Sequence, residues 1–200
     1  CIEEKRYLEE QSEVSAEGRV NVIHYTYDQA SRLISVTDST GAHMEYAYDG
    51  RNLRTMERYK IAEGIYQERH YAYSAAGRLV KIMESADEKG CGRKYVPTQI
   101  SYDGNGNITR IQTPSGNEIL REYDQSNHLL SETHKEKGGS IRNRITFTYD
   151  LNGNLTQRME SNGFYTRYQY DLQGRQIMTE DADGAITWND YDRNGNLVRQ

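Results

Sequence analysis

The sequence predicts an all-β chain built from tandem antiparallel hairpins. Three observations carry that prediction. The dipeptide Tyr-Asp recurs at Tyr27-Asp28, Tyr48-Asp49, Tyr102-Asp103, Tyr123-Asp124, Tyr149-Asp150, Tyr170-Asp171 and Tyr191-Asp192, with Tyr73-Ser74 as a degenerate eighth copy. Successive tyrosines lie 21, 25, 29, 21, 26, 21 and 21 residues apart, and a unit that returns at a base step is the signature of a repeat architecture. Turn-forming residues follow each dipeptide, and aromatic residues two apart precede it, the period of a strand.

One undisturbed unit shows how the step is filled. Tyr102 to Asn107 is rich in turn formers, Ile108 to Gln112 has strand character, Thr113 to Gly116 is a second turn, and Asn117 to Tyr123 is a second strand. Asn-Gly pairs at Asn105-Gly106, Asn152-Gly153 and Asn194-Gly195 accept positive φ and suit a tight hairpin. Asp103, Asp150 and Asp192 are placed to accept the backbone amide two residues on, closing an Asx-turn. The residues expected to shape these turns are Tyr27, Asp28, Tyr48, Asp49, Tyr102, Asp103, Gly106, Tyr123, Asp124, Tyr149, Asp150, Gly153, Tyr170, Asp171, Gly174, Tyr191, Asp192 and Gly195. A branched apolar residue usually stands six positions after the tyrosine (Leu33, Leu79, Ile108, Leu129, Leu155, Leu197), and Gln176 takes that slot in its own unit. Leu53 comes one residue early, which predicts a shorter turn at Gly50-Arg51-Asn52. The second turn is marked by Gly41, Gly64, Gly116, Gly163 and Gly184, with Gly18 and Gly138-Gly139 as equivalents. Insertions fall on that side, so longer loops are expected there.

The array is expected over residues 25–200. Residues 1–24 are read as a degenerate leading repeat or an N-terminal extension, with a short helix over Glu3 to Glu13 as the alternative to strands. Cys91 lies in the longest insertion, and a bridge to Cys1 has no support in the sequence.

Composition agrees with a thin structure. Hydrophobic residues make up 35% of the chain, and exchanging the 17 Tyr for the 17 Gly leaves that share unchanged, below the roughly 45–50% of ordinary domains. Disorder does not follow, because disordered chains are poor in aromatics and here tyrosines hold fixed positions. A net charge of -5, with acids and bases intermixed, argues against a nucleic-acid binder. No apolar run is long enough to form a membrane-spanning helix, no signal peptide is evident, and the start at Cys1 reads as a segment of a longer protein.

Aromatic pairs two apart, Tyr25 and Tyr27, Tyr46 and Tyr48, Tyr71 and Tyr73, Phe147 and Tyr149, Tyr168 and Tyr170, place each pair on one face of a sheet. Stacked repeats would align them as a ladder, with each tyrosine ring buried and its hydroxyl wet. The expected product is a long meander that twists and curls, each unit leaning on its neighbours. Its open edges invite self-association.

The heptads Tyr149 to Leu155 and Tyr191 to Leu197, with Tyr170 to Arg175 and Ala75 to Leu79, resemble the consensus of the Rhs or YD-repeat family. That family includes bacterial Rhs and wall-associated polymorphic toxins, the C components of insecticidal toxin complexes, and teneurins. The resemblance implies a β-hairpin strip that spirals into part of a hollow shell, enclosing a C-terminal toxin domain in a secreted or surface-exposed bacterial protein. The Asp-Pro core motif and autoproteolytic aspartates of toxin members are absent, since neither Pro97 nor Pro114 follows Asp, so no cleavage activity carries over.

Sharper chemistry has little support. The Asp-x-Asn-x-Asn runs from Asp103, Asp150 and Asp192 imitate a calcium loop, but position twelve is Pro114 in the first and Ser161 in the second and falls beyond residue 200 in the third, and each run has one acid among its early ligands. The five histidines form no metal-ligand spacing, and Asp181 and Asp183 flank a turn glycine where Asp is expected anyway. No cofactor or catalytic residue is therefore expected. The partners are the neighbouring repeats and enclosed cargo. The alternative is a carbohydrate- or cell-surface-binding module, with Tyr165, Tyr168 and Trp188 as the rings that would stack on sugars.

Overall fold

The computed structural model describes residues 9–16, 19–86 and 94–200. Cys1, Ile2, Leu8, Gly18 and Cys91 lie outside them. The chain divides into two compact units, Cys1–Gln99 and Ile100–Gln200. Among the described residues there is no helix.

In the first unit, β1 (Glu9–Ala16), β2 (Arg19–Tyr27), β3 (Leu33–Asp38), β4 (His43–Tyr48), β5 (Arg54–Ala62), β6 (Ile65–Tyr73) and β7 (Leu79–Ala86) follow in sequence order, and β8 (Lys94–Tyr102) begins in this unit and ends in the second. Each pairs antiparallel with the next. Glu9 to Glu13, for which a helix was the alternative, therefore lie in a strand. In the second unit, β9 (Ile108–Gln112), β10 (Glu118–Tyr123), β11 (Leu129–Lys135), β12 (Ile141–Tyr149), β13 (Leu155–Glu160), β14 (Tyr165–Tyr170), β15 (Gln176–Asp181) and β16 (Ile186–Trp188) make the same meander. A last hairpin, β17 (Asp190–Tyr191) with β18 (Leu197–Arg199), forms its own two-stranded sheet.

The turns differ from the two-residue Asn-Gly hairpin. Asp103 N–H donates to Asn107 O at 3.0 Å and Gly106 N–H to Asp103 O at 3.2 Å, which closes a three-residue loop. This is a type I turn followed by one residue in the left-handed region. Only that last residue has positive φ, as at Gly106 (100°), Gly153 (85°) and Gly195 (86°), while Asn105, Asn152 and Asn194 do not. Ser31, Asn52 and Asn127 occupy the same position at φ 60°, 64° and 68°. The loop after Tyr48 is not shorter. Asp49 N–H donates to Leu53 O at 2.9 Å, as in every other unit, and Arg54 rather than Leu53 opposes Tyr48.

Most second turns close in the same way, for example Gly116 N–H to Thr113 O at 2.9 Å. Insertions among the described units lengthen strands rather than loops. β5 and β6 have nine residues each, against six in β13 and β14, and their connection shrinks to Glu63-Gly64. A longer pair of strands gains ladder hydrogen bonds for its extra residues, whereas a longer loop would leave them unpaired.

A bulge recurs beside every described Tyr-Asp hairpin whose register is defined. Tyr27 opposes Leu33 while Thr26 opposes Ser35, so Ile34 is extra. Thr55, Val80, Leu130, Thr156, Ile177 and Val198 are the same extra residue in their units. Bulges sharpen local twist and interrupt pairing. The ladder joining one hairpin to the next stops there. β3 and β4 pair only from Ser35 to Thr37, β9 and β10 from Arg110 to Gln112, and β13 and β14 from Gln157 to Met159.

Little apolar surface is enclosed. Met178, 6% exposed, is the one buried hydrophobic residue among the described residues. The accessible surface is 14275 Å², where a compact protein of 23.1 kDa would expose about 9,700 Å². Ion pairs run across the strands instead. The aromatic face of the first unit carries the row Glu57, Arg69 and Glu84, joined at 2.9 and 2.6 Å. The aromatic face of the second carries Arg121, Glu132 and His134, both contacts at 2.7 Å.

Candidate functional site

Where the inter-hairpin ladder stops, the tyrosine of the Tyr-Asp dipeptide takes over. Tyr48 Oη donates to Leu33 O at 2.8 Å, and Tyr73 Oη to Arg54 O at 2.7 Å. In the second unit Tyr123 reaches Ile108 O at 3.1 Å, Tyr149 reaches Leu129 O at 3.0 Å, Tyr170 reaches Leu155 O at 2.9 Å, and Tyr191 reaches Gln176 O at 2.9 Å. Each acceptor stands six residues after the preceding repeat's tyrosine, and Leu33, Arg54, Leu129, Leu155 and Gln176 stand immediately before a bulge. The hydroxyl is thus not simply left in water. It bridges one hairpin to the one before, satisfying a carbonyl that the interrupted ladder leaves over.

The aspartate organises the turn itself. Asp150 Oδ1 accepts Asn152 N–H and Asn154 N–H, both at 2.9 Å, and Oδ2 accepts Asn154 Nδ2 at 2.9 Å. The pattern repeats at Asp171 with Arg175 (Nε at 2.7 Å) and at Asp192 with Asn196 (Nδ2 at 2.9 Å). It recurs at Asp28 with Arg32 (Nε at 2.7 Å) and at Asp124 with His128 (Nδ1 at 2.9 Å). These carboxyls are held below the usual carboxylate range. For Asp28, Asp103, Asp150 and Asp192 the main cause is the side chain four residues on. For Asp49, Asp124 and Asp171 it is the amide of that same residue.

That residue, four after the aspartate, also touches the next repeat. Arg32 lies over the Tyr48 ring at 5.0 Å and donates to Asp49 O at 3.1 Å. Arg175 lies over the Tyr191 ring at 4.8 Å and donates to Asp192 O at 3.1 Å. His128 stacks on Tyr149 with ring centroids 4.8 Å apart. Asn107 instead reaches Asn127 Oδ1 at 2.7 Å. Sequence reasoning missed this position because its residue type varies; its constant offset from Tyr-Asp was the available signal. Leu53 fills the slot with an apolar side chain, and Arg51 supplies the bridge there through Ser74 O at 2.9 Å.

The other candidates separate. Tyr165 opposes Met159, and Trp188 opposes Met178, on one face of the second unit, whereas Tyr168 opposes Thr179 on the other. The three rings therefore share no surface. Arg167 covers the Tyr165 ring at 4.5 Å, while Trp188 is 56% exposed. Asp181 Oδ1 caps its own turn through Asp183 N–H at 3.0 Å and Ala185 N–H at 2.9 Å. In the Asp-x-Asn-x-Asn runs the last Asn points a donor at the aspartate, the opposite of what a cation requires. His43, His70, His128 and His134 each face a carboxylate within 3.4 Å.

The Teneurin YD-shell family model matches residues 51–197. The chain belongs to that family. The YD-shell fold is also shared with solved toxin-complex structures of low sequence identity. TcdB2-TccC3 aligns at a TM-score of 0.56 with 15% identity, over 88% of this chain and 11% of that one. TcdB2-TccC3-Cdc42 and the Tc holotoxin pore of Photorhabdus luminescens each align at 0.55 with 15% identity, over the same 88% and 11%. This YD-shell chain thus spans about a tenth of the length of those proteins, 11% in each case. No functionally curated protein matches it.

Proposed function

We propose that the chain is a non-enzymatic wall segment of a YD shell. Its work is scaffolding and the enclosure of a toxin or effector cargo in a secreted or surface-exposed bacterial protein. The observation that carries this reading is the repeated bridge from tyrosine hydroxyl to the preceding hairpin. Six copies of one contact, each made to a backbone carbonyl of the preceding hairpin, serve to hold hairpins edge to edge. A wall of this kind needs no thick core, in keeping with the scarcity of buried apolar residues. The similarity to TcdB2-TccC3 structures supports a place within a larger toxin assembly.

The test uses the full-length parent protein. Limited proteolysis is expected to leave the region C-terminal to the repeats intact, and replacing Tyr149, Tyr170 and Tyr191 together by Phe should open it to cleavage. Equal cleavage of both proteins would remove the enclosure reading. Glycan binding is the second reading, favoured only by the exposed Trp188 ring. A glycan array on which Trp188→Ala loses no signal would dismiss it.

A further inference from the structure

The second unit carries an acidic, leucine-tipped edge that the wall reading leaves unused. Its Tyr-Asp turns hold the five carboxylates Asp103, Asp124, Asp150, Asp171 and Asp192 against two arginines, Arg175 and Arg193. The turns of the first unit hold Asp28 and Asp49 against Arg32, Arg51 and Arg78. Between the turns 124–128 and 150–154 the surface opens into a groove of about 400 Å³, lined by Leu130, Phe147, Leu151 and the carboxylates Asp124 and Asp150. Leu151 at the turn tip is fully exposed (106%), as is Leu172 at the same position of the next repeat (107%). Other repeats place Gln29, Gly50, Ala75, Gly104, Gln125 and Arg193 there. A leucine side chain wholly in water contributes nothing to the fold that carries it.

The charges around the groove decide what covers it. Asp150 has no ion-pair partner among the described residues, and Asp124 meets only His128. Internal hydrogen bonds keep both carboxyls ionised down to acidic pH. An acidic apolar groove suits a side chain with an aliphatic stem and a cationic end, which is lysine or arginine. Adjacent turn tips are two strands apart, about 10 Å, close to the span of three residues in an extended chain. We propose that this groove docks an extended basic segment of a partner protein. A Lys or Arg stem lies on Leu130, Phe147 and Leu151 with its cation toward Asp124 and Asp150, and an apolar side chain three residues on rests against Leu172. The docking stands independently of what the wall encloses.

The test titrates the 200-residue chain into a fluorescein-labelled peptide, Gly-Lys-Ser-Thr-Leu-Gly, and reads polarisation at low salt. Saturable binding is expected, with none for the counterpart carrying Glu in place of Lys. Leu151→Lys, at a fully exposed position, should weaken binding about tenfold by like-charge repulsion, and added salt should weaken it further. Asp150→Asn should do the same, with its melting temperature measured alongside. Ile61→Lys, at an exposed site in the first unit, should leave the affinity unchanged. Absence of saturation up to about 1 mM chain, equal binding of the Glu peptide, or an unchanged Kd for Leu151→Lys overturns the proposal.

Discussion

Replacing Tyr170 by Phe removes one hydroxyl and leaves the ring. The 2.9 Å bond to Leu155 O is lost, while the packing of the ring against its neighbours is kept. A net hydrogen bond contributes about 1 kcal/mol, within a range of roughly 0.5–1.5, and the partly exposed carbonyl can recover some of that from water. With an urea slope near 2 kcal/mol/M, the midpoint should fall by about 0.5 M and the slope should hold. The matched control is Tyr168→Phe in the same strand, whose hydroxyl has no hydrogen-bond partner among the described residues; it should stay within about 0.5 kcal/mol of the parent. Tyr149, Tyr170 and Tyr191 donate to different carbonyls about 10 Å apart, so the triple Phe variant should lose close to 3 kcal/mol. Urea titrations followed by far-ultraviolet circular dichroism read all of these. If Tyr170→Phe costs no more than Tyr168→Phe, the bridge between hairpins has no energetic role.

Other perturbations follow from the same geometry. Gly184→Ala should cost about 1 kcal/mol, because φ there is +78° but the space around it is open. Gly153→Ala should cost distinctly more, since its Cβ would stand 2.9 Å from His128 Nε2 and push that ring off Tyr149; equal losses in urea titrations would show the stack to be slack. Met178→Ala should cost about 2 kcal/mol, the low end for a buried methionine, because the opposing Trp188 is free to settle into the gap. The turn aspartates titrate below their ordinary value of 3.8, so their stabilisation is complete above that pH and is lost as pH falls through the depressed values. Melting temperatures should therefore drop below about pH 4, and a flat profile down to pH 2 would contradict the turn geometry. Burial raises Tyr149 and Tyr170 above the ordinary 10.0, so their contribution is complete below that pH and disappears as alkali ionises them.

The repeat step, the strand-turn-strand content and the Asx capping were legible because each depends on a local residue type. An aspartate two residues before an available amide closes its turn whatever surrounds it, as Asp150 does. The turn class was less legible. Asn-Gly suggests a two-residue hairpin in isolation, but the aspartate at the head of the loop sets a three-residue closure and leaves only the glycine left-handed. Ser31, Asn52 and Asn127 fill the same place, so the informative position was third after Asp rather than the Asn-Gly pair. The bulge left no mark in composition, since Ile34, Thr55 and Leu130 share no chemistry beyond fitting a strand. Without it the acceptor carbonyls could not be anticipated, nor could the destination of the tyrosine hydroxyls. Leu53 misled for a related reason: an apolar residue was counted toward the strand when it ends the loop. The candidate sugar-binding rings do not share one face, because Tyr165 and Tyr168 are three apart on one strand and point to opposite sides of the sheet.

The carbonyl carbon shifts of the acceptor residues test the bridge most directly. In a ¹³C,¹⁵N-labelled chain, Tyr170→Phe should move the Leu155 carbonyl resonance upfield and leave Leu129 in place, and Tyr149→Phe should do the reverse. Carbonyl shifts at Leu155 and Leu129 that match those of the Tyr168→Phe control would show that the hydroxyls do not join successive hairpins.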